Sequence, residues 1–324
     1  MSNTPPKQGP YRPPNSPTTP RYSGIRTFMR LPYVTDLEGI DLAIVGVPFD
    51  TGATYRVGAR FGPSAIRDES FLLKPYNPAL KVNIFDACSS VDYGDLPCMP
   101  GYLPEAHKLI QDSAAHVFAS GATPIFLGGD HSVSLPLLRA AAAKFGPLAL
   151  VHFDSHNDLH QGYFGGKDTH GTPFRRALEE GLIDATRSSQ IGIRGSLYDA
   201  NVEREAAEAG FRVFTAPEMH QHGLAWVLEE VRARTGNSLA YLTFDIDFAD
   251  PAFAPGTGTP VIGGFSGAQC LELVRGLAGL NFVGYDLVEV LPAHDPAGTT
   301  SLLAAGIVYE FMSLAALQRS ASKG

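Results

Sequence analysis

Leu148-Ala-Leu-Val-His152-Phe-Asp154-Ser-His156-Asn-Asp158-Leu-His160 decides the fold of this 324-residue chain. An apolar run leads straight into acids and imidazoles at every second position. In extended backbone, residues i, i+2 and i+4 project from one face. The spacing therefore predicts that Asp154, His156 and Asp158 converge at the carboxyl end of a parallel strand, where open α/β sheets place their sites. A strand built only for packing has no use for two carboxylates and several imidazoles on one side.

Outward from this segment the chain keeps a rhythm. Short aliphatic runs at 41–47, 82–85, 124–127, 148–153, 190–193, 212–214, 239–246 and 282–288 predict eight strands. Between them, 103–120, 135–145, 174–182, 224–234 and 268–277 space their apolar residues as helices do. Apolar strands alternating with helices indicate a mainly parallel sheet covered on both faces, and strand-end motifs favour an open sheet over a closed barrel. The first 22 residues hold seven prolines and few aliphatics. They predict a flexible arm, or one that wraps a neighbouring subunit. Residues 23–324 then form a single catalytic domain, since no second rhythm or linker divides them.

Composition narrows the function. A formal charge of −8 argues against nucleic acid or an anionic membrane surface as partner. Three scattered cysteines, Cys88, Cys98 and Cys270, with no CxxC, exclude a disulfide framework and a thiolate zinc site. The most apolar stretch, 302–317, is interrupted by Glu310, and the N-terminus has no apolar signal core. A soluble, cytoplasmic protein is expected.

Two further segments repeat the strand-end design. Tyr241-Leu-Thr-Phe-Asp245-Ile-Asp247 ends an apolar strand in two carboxylates, followed by Asp250-Pro251 and a Gly-rich loop. Ile125-Phe-Leu-Gly128-Gly129-Asp130-His131-Ser132 ends a strand in a tight turn that presents an imidazole. Together His131, Asp154, His156, Asp158, Asp245 and Asp247 offer two imidazoles and four carboxylates. Four carboxylates balance two divalent cations. This thiolate-free set suits Mn²⁺ best, with Ni²⁺, Co²⁺, Zn²⁺ or Fe²⁺ open. Such a pair activates water for hydrolysis, and its negative surroundings attract a cationic substrate.

These motifs, in this order and spacing, resemble the ureohydrolase family of arginases, agmatinases and guanidino-acid hydrolases. The resemblance runs from about Arg21 to Leu317 and is supported by Gly58-Ala-Arg60-Phe-Gly62-Pro63 and Asp286-Leu-Val-Glu289-Val. It implies the three-layer α/β/α arginase-like fold. It also implies a binuclear manganese cluster in which His131 and Asp158 serve one ion, His156 and Asp247 the other, and Asp154 and Asp245 both. By the same resemblance His170 protonates the leaving amine, Glu289 pairs with the substrate's guanidinium, and Asp247 accepts a proton. The expected reaction cleaves a guanidino C–N bond to give urea and an amine, agmatinase-like in the broad sense.

Some positions depart from the family's pattern. Ser155 and Asn157 flank His156 where a small residue and a hydroxyl are usual, and His160 stands where the substrate tail is met. His160, Asn157 and Arg56 are thus candidate substrate contacts. Arg56 facing a carboxylate tail would favour guanidinobutyrate or guanidinopropionate over agmatine. Small substituted guanidines or biguanides are a further substrate class. A deacetylase-like amide hydrolase and a non-catalytic subunit of a hetero-oligomer are the competing readings, and the complete ligand set argues against both. The family resemblance also implies a homo-oligomer, a trimer or hexamer.

Overall fold

A computed structural model describes residues 10–199 and 201–323. Among these described residues ten strands occur in chain order: β1 (Leu42–Gly46), β2 (Tyr76–Asn77), β3 (Val82–Asn83), β4 (Ser90–Asp95), β5 (Thr123–Leu127), β6 (Ala149–Phe153), β7 (Ser189–Ile193), β8 (Arg212–Thr215), β9 (Leu239–Asp245) and β10 (Asn281–Val288). Eight form one sheet in the order β4-β1-β5-β10-β9-β6-β7-β8, and every pairing in it is parallel.

Alternate residues of each strand enter two separate cores. Ile44, Ile125, Val151, Leu242 and Leu287 face the helices Leu224–Thr235, Gly267–Gly276 and Thr299–Lys323. Val45, Phe126, Leu150 and Tyr241 face Leu103–Ser120, Ser134–Phe145 and Pro173–Glu179. Both strand faces are apolar because both are covered, which is the three-layer α/β/α arrangement. The helix over Thr299–Ser322 is long and apolar enough by composition to cross a membrane, but 72% of its apolar window is buried inside the fold. Its Glu310 is anchored there, with Oε1 accepting from Arg275 at 2.6 Å and Oε2 from Asn77 at 2.8 Å.

One expected strand is corrected. Residues 82–85 do not join the sheet: Val82–Asn83 pairs antiparallel with Tyr76–Asn77, and the Asn83 side chain then caps the short helix Ile84–Ala87. The sheet's edge is Ser90–Asp95 instead. Its acids disguised it, because Asp92 is buried by pairing with Arg67, whose Nε lies 2.8 Å from Asp92 Oδ2. Residues 1–9 of the proline-rich segment lie outside the described residues. Beyond them, Tyr11 bonds Ser89 and Ser90, and the Arg30 guanidinium donates to the carbonyls of Thr19 and Pro20.

Candidate metal centre and substrate cleft

The ligand-type residues gather where four neighbouring strands end. His131 follows β5, Glu289 follows β10, Asp245 closes β9, and Asp154 follows β6. The extended alternation expected for 154–158 does not persist. Strand β6 stops at Phe153, and Asp158 takes a left-handed backbone with φ 51°. The acids converge through a tight turn rather than along a pleat, because Asp154 Oδ1 accepts from the His156 N–H at 2.6 Å. The same device recurs on β9, where Asp245 Oδ1 accepts from the Asp247 N–H at 2.8 Å.

Two groups of inward-facing atoms result. His131 Nδ1 lies 3.0 Å from Asp158 Oδ2, 3.1 Å from Asp154 Oδ2 and 3.3 Å from Asp245 Oδ2. His156 Nδ1 lies 3.1 Å from Asp247 Oδ2 and 3.4 Å from Asp154 Oδ1. Asp154 thus gives one oxygen to each group, as expected for a shared carboxylate. Asp245 was expected to touch both ions; its Oδ2 faces the His131 group.

The tautomer of His131 follows from its other side. Its Nε2 is 2.9 Å from Thr243 Oγ1, and that hydroxyl donates to Asp286 at 2.5 Å. A hydroxyl whose proton is committed must accept from the ring, so Nε2 carries hydrogen and Nδ1 turns a lone pair inward. Ser155 has a comparable use: its N–H and hydroxyl donate to Asp247 Oδ1 at 3.0 and 2.8 Å. Sequence reasoning missed Thr243 and noted Asp286 only within a family-matching stretch, without a role; the register sets the two side by side.

The residues present fit a pair of divalent cations. His131 Nδ1 is buried among three carboxylate oxygens within 3.3 Å, none of which meets it in hydrogen-bond geometry. Burial, reinforced by the charges of Asp247 and Asp154, pushes the Asp245 carboxyl well above the ordinary range. Four buried carboxylates cannot all ionise without positive charge; with no ion bound it falls to His131 and His156, which these acids raise well above the ordinary imidazole value against the opposing effect of burial. The nearby Arg194 guanidinium does not supply it directly, being spent on the carbonyls of Gly192, Asp247, Ala249 and Val261.

Beside the cluster lies Glu289, 1% exposed and held at φ 65°, a conformation that costs a non-glycine residue about 1–3 kcal/mol. Its Oε1 accepts from His131 N–H and His170 Nδ1, each at 3.0 Å, while Oε2 is buried without a partner. The absence of a side chain at Gly258 keeps that oxygen open, since a Cβ there would sit 3.1 Å from it. His170 Nε2 receives Thr54 N–H at 3.2 Å and meets Thr54 Oγ1 at 2.7 Å, and the His170 N–H donates to Gly52 O. Burial alone would lower His170, but the Glu289 carboxylate outweighs it and pushes the imidazole up to about 9.

A cleft of about 320 Å³ opens over the cluster, lined at its base by His156, Asp158, Asp245, His170 and Thr54. Its outer wall is Asn157, His160, Tyr163, Ser196, Leu197 and Tyr198. His160 sits between the two tyrosines, 5.1 Å from the Tyr163 ring and 5.6 Å from the Tyr198 ring. Arg56 is not brought to this wall. Its guanidinium lies 3.5 Å from Thr257 O and packs over Tyr55.

Comparison with known proteins agrees with this geometry. Residues 40–314 match the arginase family. The chain is 46% identical to a mitochondrial agmatinase of Gallus gallus, over 93% of this chain and 88% of that one. It is equally 46% identical to a guanidinobutyrase of Pseudomonas aeruginosa, over 90% of this chain and 93% of that one. The solved structure of proclavaminate amidino hydrolase from Streptomyces clavuligerus superimposes with a TM-score of 0.89 at 41% identity, covering 92% of this chain and 99% of that one. Strand-end ligands, sheet order and relatedness along nearly the whole length lead to one assignment: the chain belongs to the arginase family of metal-dependent ureohydrolases.

Proposed function

We propose that this ureohydrolase acts on a short guanidino compound whose tail ends uncharged or anionic, releasing urea and an amine. The carrying observation is Glu289 Oε2, a buried carboxylate oxygen with no partner beside a six-residue ligand cluster. A guanidinium is always charged and presents a planar fork of donors, so it is the natural partner for that oxygen. His131, Asp154, His156, Asp158, Asp245 and Asp247 would hold the two cations, with Mn²⁺ favoured by the carboxylate–imidazole set and Ni²⁺, Co²⁺ or Zn²⁺ as alternatives. Bound there, such a pair supplies Lewis acidity and lowers the pKa of water toward neutrality. The chain's own residues do the rest. Glu289 orients the guanidinium, Asp247 accepts a proton, and His170, whose hold on a proton the Glu289 carboxylate strengthens, takes one up at Nε2 on releasing the Thr54 N–H and delivers it to the departing nitrogen.

The tail assignment rests on the outer wall. Among the described residues, the only carboxylates lining the cleft are Asp158 and Asp245, both in the cluster, so nothing there matches an ammonium end. Burial lowers the His160 imidazole, which keeps it neutral at pH 7 and leaves it, with the tyrosine hydroxyls and Asn157, as a hydrogen-bonding surface. Relatives at equal identity act, by their names, on different guanidino substrates, so identity alone does not choose the tail. Urea release should be compared for 4-guanidinobutyrate, 3-guanidinopropionate, agmatine and arginine. A preference for agmatine or arginine refutes the tail reading; no urea from any refutes the activity. The exposed Tyr22, Ile25 and Leu72 support self-association, which light scattering tests.

A further inference from the structure

His152 does more than pack inside its strand: it contacts the cluster. It is fully buried on β6, directly across from Gln190 on β7. Gln190 Nε2 donates to Asn157 O at 2.7 Å and lies 3.2 Å from His152 Nδ1. A peptide carbonyl can only accept, so the amide nitrogen must face this pair, and His152 Nδ1 is an acceptor. The neutral ring therefore carries its hydrogen on Nε2, which points at Asp154 Oδ2 from 2.8 Å.

That hydrogen decides between two roles. His131, His152 and Asp154 lie close enough together to hold one ion. A ring nitrogen that donates to a carboxylate has no lone pair for a cation, so His152 is not a ligand. Phe174 packs 4.3 Å from the His152 ring and 5.1 Å from the His131 ring, fixing both planes. With Oδ2 held by His152 and Oδ1 by the His156 N–H, the Asp154 carboxylate is locked with one oxygen toward each ligand group. The second arm of Gln190 pins the carbonyl of Asn157, the residue immediately before Asp158 in its left-handed turn.

We infer that Gln190 and His152 form a positioning pair: through the ring they set Asp154 as the carboxylate shared by both ions, and through Asn157 they set Asp158. This inference rests on the two-ion reading of the cluster. It assigns a function to a buried glutamine that the sequence does not mark out, and to a histidine whose place in the alternating run does not tell a ligand from a support.

The test is Mn²⁺ binding to chelator-stripped full-length protein, by competition titration and by the electron paramagnetic resonance signal of a spin-coupled Mn²⁺ pair. Histidines that support metal ligands typically contribute about 10–100-fold in affinity. His152→Phe keeps the ring's bulk without the donor, and Gln190→Met keeps the side chain's length without either donor. Each is expected to weaken Mn²⁺ about 10–100-fold and to reduce the coupled signal. His152→Gln, whose amide nitrogen reaches about as far as the imidazole Nε2, is expected to restore wild-type binding. Circular dichroism of each stripped variant checks that the fold survives. Wild-type affinity and coupling in both His152→Phe and Gln190→Met would overturn the inference. So would an ion lost in His152→Gln as in His152→Phe, because His152 would then be a ligand. Wild-type protein that holds fewer than two Mn²⁺ would instead overturn the two-ion reading itself.

Discussion

Glu289 and His170 show how one residue pair sets two measurable properties. Replacing Glu289 by Gln removes the charge that meets the guanidinium but keeps the shape. Hydrogen bonds to charged groups contribute about 1.5–3 kcal/mol, so kcat/KM for the preferred guanidino substrate should fall roughly 10–150-fold in steady-state urea assays. The pair also predicts a pH dependence for metal-free protein. The imidazole rises from 6.5 to about 9 on folding, so the folded state binds its proton more tightly. That contribution to stability is full below 6.5 and is lost as pH climbs through about 9. The melting temperature of wild type should therefore exceed that of Glu289→Gln by most at pH 6 and by least at pH 9.5, after chelation. The candidate ligands were readable from sequence because acids and imidazoles crowd three short motifs. Gln190 was not, since an isolated amide carries no pattern and meets its partner only through the fold.

At the scale of elements, the strand-end turns matter more than the strands. The sequence predicted convergence of Asp154, His156 and Asp158 by extended alternation, and the residues do converge, but through side-chain-to-backbone bonds after β6 has ended. Alternation was the right sign read through the wrong geometry, because the carboxylates that bind also fold the turn. Residues 82–85 failed differently. Three apolar residues around Asn83 fit a strand, but the Asn83 side chain offers the Phe85 N–H a better partner than a ladder would. Gly129 tests how tightly one such turn is built. A Cβ there would lie 1.6 Å from the Phe49 carbonyl oxygen, so Gly129→Ala must move backbone. It should cost about 3 kcal/mol, seen as a lower urea midpoint, and should displace His131 enough to weaken Mn²⁺ binding.

For the whole molecule, the four clustered carboxylates make metal and stability inseparable. Each ion that binds only the folded chain stabilises it by about 2.7 kcal/mol at a hundred times Kd. Stripping both with EDTA should lower the melting temperature by about 8 °C, and Mn²⁺ should restore it; an unchanged melt would contradict a structural contribution from the ions. The three layers were predictable from the strand and helix rhythm, but the strand order was not, since nothing local tells β10 to lie between β5 and β9. That order has a consequence for biosynthesis. Strand β10, at Asn281–Val288, is the last to leave the ribosome yet occupies the middle of the sheet. Until it emerges, β5 and β9 have no strand between them to hydrogen-bond to both. A nascent chain released before residue 281 would lack the sheet's midline rather than its margin, and His131 would lack the strand that seats it beside the acids of β6 and β9.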